Sequence, residues 1–420
     1  MLLALGCGSD PRPATPPEPA RTEEPAETPR APQRTEEAPG LADELAVLDG
    51  PPRADEVMAM PTPLPDTAAP PRACVALGEP VRLSQEGGRP AIVAAGDAFV
   101  AATYLRGAVQ VVRVVPGAAA SLVANVPIAE LRLDRRGAPP ALVRTSEREL
   151  VLGVVEASGR VAYGRFDAAS PTPAITLHTV AEGGGDLRFA PAIVRVGDHL
   201  AIAWTDGGET PMRLRMVVAD ATDEIVTRHD LTPVAGGGAA PVVVQGAAAP
   251  TLFFVDPRAG ISVVHRVTLG AEAVPSPTEV ARPLNLASEP PAIAAARASG
   301  VDHTWLAYAA VGNGGTRAVG VLDAFGSERP AAIVAGLGYG SALSLDALPG
   351  ARAVIFASEA PSAADPAAPH EIRVRVVDGS GVGEALVVPD ATAPRIARLA
   401  SGVIGLAYAG SWARFLRCAE

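Results

Sequence analysis

Residues Arg188–Asp206 read RFAPAIVRVGDHLAIAWTD, and this stretch is the clearest copy of a unit that recurs along the chain. A proline or small residue opens a short apolar run, and a Gly-Asp or Gly-Ser turn follows it. A second apolar run then often ends on an aromatic residue. The unit starts at Pro90, Pro140, Pro191, Pro241, Pro291, Ser341 and Pro394. Successive starts are therefore 50, 51, 50, 50, 50 and 53 residues apart.

A repeat of about fifty residues built from short apolar runs is typical of a β-propeller with one blade per repeat. We therefore predict an all-β chain whose residues 73–420 form a seven-bladed propeller with four-stranded blades. The four strands predicted for the Pro191 copy are Ala192–Val196, Leu200–Trp204, Met212–Val218 and Glu224–Arg228. The innermost strands are almost entirely apolar, as expected for strands that neighbouring blades cover on both faces.

The two ends of the repeat region predict how the ring closes. The last repeat stops after its third predicted strand, Trp412–Arg417, and the missing outer strand is available as Glu79–Ser84. A strand from the other terminus removes the open edge of the last blade. Because the two strands would run antiparallel, Cys74 and Cys418 would meet, and we predict a disulfide between them. Such a bond is typical of exported proteins.

The segment that precedes the repeats has a different composition. Residues 8–72 contain 13 acidic and 6 arginine side chains and 16 of the 42 prolines. Such a segment cannot bury enough apolar surface to offset its ordering entropy, so it is predicted to be a disordered acidic linker. Residues 1–7, MLLALGC, resemble the end of a bacterial lipoprotein signal, although no positive charge precedes them and only six residues stand before Cys7. An upstream start codon would explain both departures.

Several classes of function are disfavoured by composition. The formal net charge is −11, of which −7 lies in residues 8–72, so the repeat region carries about −4 and no basic footprint for nucleic acid. The chain has no lysine, which excludes lysine Schiff-base chemistry. No HExxH, GxSxG or P-loop pattern occurs, and the six histidines do not show metal-ligand spacing. We predict no cofactor and no metal. The glycine clusters Gly183–Gly185 and Gly236–Gly238 are interpreted as flexible crossings between blades.

In a propeller, the loops from each outer strand to the next inner strand, and from second to third strands, meet around the channel mouth. The charged residues that the predicted register places there are the candidate ligand-binding residues: Arg89, Arg106, Arg188, Asp206, Asp256, Arg258, Glu289 and Glu359. The same loops also carry Arg136, Glu156 and Tyr339. Arginines beside carboxylates suit recognition of an anionic ligand or acid–base chemistry. The alternative is that Asp206 and Asp256 only cap their own turns. No catalytic residue is assigned.

Aromatic residues recur where second strands end. Tyr104, Trp204, Tyr308 and Tyr408 occupy this place, and Phe254 and Phe356 fall close to it. A recurrent aromatic at one position of a repeat favours packing between blades over stacking on a ligand.

The seven repeats over residues 74–420, together with Cys7, resemble bacterial propeller-repeat lipoproteins in general. The resemblance implies export and lipid on Cys7, with anchoring in the cell envelope on the periplasmic side or at the cell surface. It implies no particular activity. We predict a non-catalytic binding or scaffold module whose partner is another envelope protein. The alternatives are a glycosidase- or esterase-like propeller hydrolase with a site at the channel mouth, and a purely structural envelope component. A sialidase Asp-box has no true copy in the sequence.

Overall fold

Seven antiparallel sheets of four or five strands, one for each sequence repeat, follow one another in the part of the chain that the structure describes. The structure is a computed structural model, and the residues it describes are 73–129, 138–233, 236–246, 248–258, 260–270, 274, 276–285, 291–297, 304–311, 317–323, 332–335, 342–348, 353–361, 370–378 and 381–418. The predicted all-β, seven-bladed propeller is confirmed. The predicted linker 8–72 and Cys7 lie outside the described residues.

The strands are numbered in chain order, and each blade is given from its inner to its outer strand. Strand β1 (Cys74–Arg82) is the outer strand of blade 7. Blade 1 contains β2 (Ala91–Ala95), β3 (Ala98–Leu105), β4 (Ala108–Val114) and β5 (Ser121–Pro127). Blade 2 contains β6 (Ala141–Arg144), β7 (Glu149–Val155), β8 (Val161–Asp167) and β9 (His178–Ala181). Blade 3 contains β10 (Ala192–Val196), β11 (His199–Asp206), β12 (Arg213–Ala219) and β13 (Ile225–Asp230).

The remaining blades follow the same plan, with additions in blades 4 and 6. Blade 4 contains β14 (Ala239–Val244), β15 (Thr251–Asp256), β17 (Val263–Thr268) and β18 (Thr278–Ala281), beside a ribbon of β16 (Gly260–Ile261) and β19 (Leu284–Asn285). Blade 5 contains β20 (Ile293–Arg297), β21 (Thr304–Val311), β22 (Arg317–Asp323) and β23 (Ala332–Ala335). Blade 6 contains β24 (Leu343–Ala347), β25 (Ala353–Pro361) and β26 (His370–Asp378), with β27 (Gly381–Val382) and β28 (Leu386–Val388) both paired to β26. Blade 7 contains β29 (Arg395–Arg398), β30 (Ile404–Tyr408), β31 (Trp412–Cys418) and β1.

The strand bounds in blade 3 agree closely with the sequence prediction. The inner strand Ala192–Val196 is identical to the predicted one, and the other three differ from their predicted bounds by no more than two residues at either end. The agreement follows from the sequence, because Gly197 stands at a positive φ of 60° in the tight turn between the first two strands. Glycine adopts that backbone conformation without steric cost.

The blades pack against one another through apolar side chains on their faces. Between blades 2 and 3, Tyr163, Ile193, Ile202, Trp204 and Val217 belong to one buried cluster. Of the recurrent aromatics at the ends of second strands, those that are buried are Trp204, Phe254, Tyr308, Phe356 and Tyr408. The predicted packing role is therefore confirmed for these residues.

Tyr104 of blade 1 packs differently from the other recurrent aromatics. Its hydroxyl donates to the carbonyl of Val155 at 3.4 Å and accepts from the Val155 N–H at 3.0 Å. These hydrogen bonds join the end of β3 in blade 1 to the end of β7 in blade 2. Burial raises the pKa of Tyr104 well above its usual value, so the hydroxyl stays protonated and keeps its donor.

The seven inner strands form a closed ring. Each inner strand contacts the inner strand of the next blade, and the last of them, β29, contacts the first, β2. The rings of Phe99 and Phe415 stack across the same junction of blades 1 and 7, with centroids 5.6 Å apart. Because blade 7 packs on blade 1 as other blades pack on their neighbours, no blade face at this junction is left open.

Blade 7 is completed by the N-terminal strand, as predicted. Strand β1 pairs antiparallel with β31, and Cys74 stands directly opposite Cys418. A disulfide joins these two cysteines, which are 344 residues apart in sequence. The predicted closing strand was Glu79–Ser84, whereas the observed strand runs from Cys74 to Arg82, with a register shift between Leu77 and Val81. The closing strand and the disulfide are confirmed, and the bond fits an oxidising, exported location.

Candidate functional site

The candidate site is the face formed by the loops between blades and by the loops between second and third strands. Of the candidate residues, the structure describes Arg89, Arg106, Arg188, Asp206, Asp256, Arg258 and Glu359. Glu289, Arg136 and Tyr339 lie outside the described residues. The described carboxylates on this face each accept hydrogen bonds from nearby backbone or side chains, and those partners indicate what each carboxylate does.

Asp256 is the most deeply buried of the candidate carboxylates, with 1% of its surface exposed. It ends β15, accepts a hydrogen bond from the Gly237 N–H at 2.6 Å, and pairs with Arg258 at 2.6 Å. A side chain at Gly236 would collide with the Asp256 carboxylate. The backbone of the glycine cluster before blade 4 therefore lies directly against the buried carboxylate of Asp256. The interpretation of this cluster as only a flexible crossing is incomplete.

Asp206 occupies the equivalent place in blade 3. It ends β11, and its Oδ1 accepts from the Gly208 N–H at 3.0 Å. A Cβ at Gly184 would lie 2.7 Å from the same oxygen, so only glycine fits at this position before blade 3. Its Oδ2 lies 3.6 Å from Arg215. Asp206 thus caps its own turn, as the alternative interpretation predicts, and it also packs against the glycine segment 183–185 that leads into blade 3.

Two further acidic residues on this face are paired with arginines close by in sequence. Arg188 pairs with Asp186 at 2.6 Å and also reaches the Met212 sulfur at 3.3 Å. Buried Glu156 forms a two-pronged ion pair with Arg160. Planar guanidinium–carboxylate pairs of this kind fix loop geometry as well as balancing charge.

Glu359 holds the segment that leads into the inner strand of blade 7. Its Oε1 lies 2.6 Å from Nδ1 of His370, and its Oε2 accepts from the Ala393 N–H at 3.0 Å. Ala393 has a positive φ of 53°, a conformation that non-glycine residues seldom adopt. The carboxylate therefore stabilises a strained backbone two residues before Arg395.

Arg89 and Arg106 belong to the junction of blades 7 and 1. The carbonyl of Gly88 accepts from the N–H groups of Gly410 and Ser411, at 2.8 and 3.1 Å, which fixes the residue before Arg89. Arg106 is exposed, and its backbone N–H donates to Glu86 at 3.2 Å. Arg89 directly precedes Pro90 and the inner strand of blade 1 and is half-buried, whereas Arg106 is exposed in the turn between the second and third strands.

Arg395 is a residue of this mouth that the sequence analysis did not select. It begins the inner strand β29, and its Nη1 donates to the carbonyls of Leu343 and Pro394. Burial, followed by the positive charge of Arg89, lowers the pKa of Arg395 to about 10. A comparison of equivalent repeat positions would have singled it out, because the residue after the opening proline or serine is alanine or valine in all six other repeats.

The chemistry of this face follows from these pairings. Asp206, Asp256, Glu156 and Glu359 are each engaged by backbone N–H groups or by nearby side chains, so each of them helps to fix the conformation of its loop. Among the described residues, no group of three or more His, Cys, Asp or Glu side chains is arranged to hold a metal ion. The same residues include no helix that is both long and apolar enough to cross a membrane.

A buried histidine beside this face predicts sensitivity to acid. His265 in β17 is 9% exposed, stacks on Phe254 at 5.2 Å, and has no hydrogen-bond partner on either ring nitrogen within the described part of the chain. Burial lowers the pKa of His265 below 6.5, and Arg258 adds to this effect, whereas Asp256 and Glu279 oppose it. Because the unfolded chain binds the proton more readily, stability is expected to fall as pH drops below about 6.5.

The contribution of His265 to the pH dependence of stability is measured by comparing wild type with the variant His265→Phe. The free energy of unfolding, followed by urea denaturation from pH 7 to 5, should decrease more steeply for wild type than for His265→Phe, by at most about 1.4 kcal/mol per pH unit. The variant is needed because Asp346 also titrates in this pH range. Burial raises the pKa of Asp346 to about 6, although Arg398 opposes this effect. Protonation of Asp346 makes the folded state more stable as the pH falls, which is opposite to the effect of His265. Parallel pH profiles for the two proteins would contradict the assignment.

Comparison with known proteins bears on the fold. No family model matches the sequence, and no curated protein matches it. Among solved structures, the BP39L lectin from Burkholderia pseudomallei matches with a TM-score of 0.54 and 15% identity, over 78% of this chain and 98% of the lectin. AofleA from Arthrobotrys oligospora matches with a TM-score of 0.45 and 10% identity, over 76% of this chain and 89% of that chain. At these identities, the likeness to BP39L shows a shared propeller fold and nothing finer.

Proposed function

We propose that this protein is a non-catalytic binding module whose ligand docks on the loop face around the channel mouth. The observation that carries the proposal is the engagement of the described carboxylates by loop backbone and by nearby arginine and histidine side chains, which gives a rigid, charged face. A propeller hydrolase would instead need carboxylates held for acid–base work, commonly as a pair on either side of the scissile bond. The name of BP39L, a lectin, supports binding as a use of this fold.

We place this module in the cell envelope. The disulfide between Cys74 and Cys418 supports an oxidising compartment, and the sequence around Cys7 supports a lipid anchor. A linker of 65 residues, 8–72, would hold the propeller at a distance on the order of 45 Å from its anchor if it behaves as a flexible coil. Tethering of this kind raises the local concentration of the module at the membrane without fixing its orientation. We propose that its partner is another envelope protein.

Site-specific photo-crosslinking in cells tests both parts of this proposal. A photo-reactive residue replaces exposed Arg106 or Arg188 on the loop face, or exposed Asp97 or Asp198 in turns at the opposite face. We expect a defined adduct from the two loop-face positions and none from the two opposite positions. Adducts from both faces, or from neither, would contradict the loop face as the binding surface. In the same cells, Cys7→Ser should move the protein out of the membrane fraction, and its retention there would contradict the anchor.

A further inference from the structure

Blades 3 and 4 differ at one position of the third strand. Trp204 and Phe254 occupy the same place in their second strands, and the residues directly opposite them are Arg215 in blade 3 and His265 in blade 4. Side chains paired in this way lie on the same face of the sheet, and here that face packs on the preceding blade. Blade 3 thus has a permanent positive charge where blade 4 has an imidazole, whose charge depends on pH.

Arg215 shows what a cation does at this position. It lies between two carboxylates, because Asp230 is directly opposite it on the outer strand and Asp206 is two residues beyond Trp204. Its Nη1 lies 2.9 Å from Asp230, its Nε lies 3.6 Å from Asp206, and its Nη2 also reaches Glu209 at 2.9 Å. The guanidinium therefore joins the outer strand to the end of the second strand.

His265 lies between the corresponding carboxylates of blade 4. Glu279 is directly opposite it on the outer strand, and Asp256, two residues beyond Phe254, is its diagonal neighbour on the same face. His265 is 9% exposed, and within the described residues neither of its ring nitrogens has a hydrogen-bond partner. A buried N–H donor without an acceptor is unfavourable, because it has lost water and gained no other partner. Protonation of this ring therefore breaks no hydrogen bond.

The carboxylate of Asp256 is engaged by an arginine of the loop while His265 is neutral. Its Oδ2 accepts from Nε and Nη2 of Arg258, at 2.8 and 2.6 Å, and its Oδ1 accepts from the Gly237 N–H at 2.6 Å. In blade 3, the corresponding carboxylate contacts Arg215 instead, and a glycine stands where blade 4 has Arg258. The cation beside this carboxylate thus comes from the third strand in blade 3 and from the loop in blade 4.

We propose that His265 is a proton-operated switch of the loop face. Once protonated, it takes the role that Arg215 has in blade 3 and pairs with Asp256 and Glu279. Arg258 is thereby released from Asp256 and becomes available to an anionic group of the ligand. Release is easy because the side chain of Arg258 is already 51% exposed and returns to water. This inference rests on the proposed function, since it describes how acid changes the face on which the ligand docks.

The charges around His265 decide where the switch titrates. Burial lowers the pKa of His265 below 6.5, whereas Asp256 and Glu279 oppose this effect. Arg258 also lowers this pKa, so its release makes protonation easier, and each step favours the other. The titratable and charged groups around the ring come from blade 4 and from the outer strand of blade 3 on the side turned to blade 4: Asp256, Arg258, Glu279, Arg282 and His229.

NMR spectroscopy of the full chain, without any ligand, tests the switch. Protein with isotope labels on arginine side chains and histidine rings is titrated from about pH 7.5 to about 5. The signals of His265 and Arg258 are assigned by their loss in His265→Phe and Arg258→Gln. We expect the Nε signal of Arg258 to shift with the same midpoint as the ring of His265, below pH 6.5. Arg188 is the matched control, because it pairs with Asp186 on the same face and is 49% exposed, and its signal should not follow that midpoint.

Two variants hold the switch in one state. His265→Phe keeps an aromatic ring without a charge, so Arg258 should keep its neutral-pH signal throughout the titration. His265→Arg places in blade 4 the residue that blade 3 carries, so Arg258 should show at neutral pH the signal that wild type shows only in acid. If His265→Arg does not fold, the comparison of wild type with His265→Phe decides the question by itself.

Three results would overturn the switch. The first is an Arg258 signal that stays unchanged while His265 titrates, or that shifts equally in His265→Phe. The second is an imidazole that stays neutral down to about pH 5, and the third is unfolding of the chain before His265 titrates. Because no ligand takes part, failure here leaves the loop face standing as the binding surface. Failure of the crosslinking experiment would in turn leave the proton switch intact.

Discussion

Removal of the disulfide is expected to destabilise the protein strongly. In Cys74→Ala/Cys418→Ala, the free energy of unfolding should fall by at least about 2 kcal/mol and by as much as roughly 5–6 kcal/mol. The upper figure comes from the chain-entropy model, because the bond closes a loop across 344 residues and so restricts nearly the whole unfolded propeller. The folded state also loses the bond that holds β1 on the edge of blade 7, where the strand is paired on one side only.

Urea denaturation measures this loss and identifies its cause. Wild type treated with dithiothreitol should unfold at nearly the same urea concentration as the double alanine variant, because both lack the bond. Oxidised wild type should unfold at a clearly higher concentration. If all three proteins share one midpoint, the ring does not depend on the disulfide, and the energetic role assigned to it is wrong.

Truncation of the aromatic core between blades should have an effect of comparable size. Trp204 is 5% exposed and packs between blades 2 and 3 in a cluster with Tyr163, Ile193 and Ile202. Trp204→Ala leaves a cavity that blade faces cannot fill without moving, so we expect a loss of about 3–5 kcal/mol in the free energy of unfolding. The indole N–H has no hydrogen-bond partner within the described residues, so the loss comes from packing rather than from a broken hydrogen bond.

Two further variants of blade 3 test this explanation. Trp204→Phe keeps an aromatic ring in the cluster and should cost about 1–2 kcal/mol. Val226→Ala, at a position that is 49% exposed on the outer strand, should change the free energy of unfolding by no more than about 0.5 kcal/mol. A loss in Trp204→Ala as small as that in Val226→Ala would show that Trp204 does not contribute to the packing between blades.

The sequence was sufficient for the architecture because each blade repeats one physical pattern. Apolar runs such as Ala192–Val196 are long enough for one strand, and turns such as Gly197–Asp198 end them, so strand bounds follow within about two residues. The closing strand was predictable because the count of strands left one blade incomplete. The position of β1 was less accurate, since its register shift between Leu77 and Val81 depends on pairing with β31.

The candidate site was predictable only in part. The repeat register places Asp206 and Asp256 correctly at the ends of second strands, but it does not show that Gly184 and Gly236 press against them. Each glycine lies about twenty residues before its aspartate, and the two meet because the segment that enters a blade folds over the end of the second strand of that blade. Arg395 was missed for a different reason: its neighbourhood is apolar, and only alignment of all seven repeats reveals that it replaces a small residue.

The central claim is that the two ends of the repeat region meet to close one ring, which then presents the loop face. Peptide mapping by mass spectrometry tests it most directly, on protein alkylated and digested with trypsin without reduction. Cleavage after Arg72, Arg82 and Arg417 yields the peptides 73–82 and 418–420. We predict that they are recovered as one disulfide-linked species, with neither cysteine alkylated. Recovery of both peptides separately, each with an alkylated cysteine, would contradict the closed ring described above.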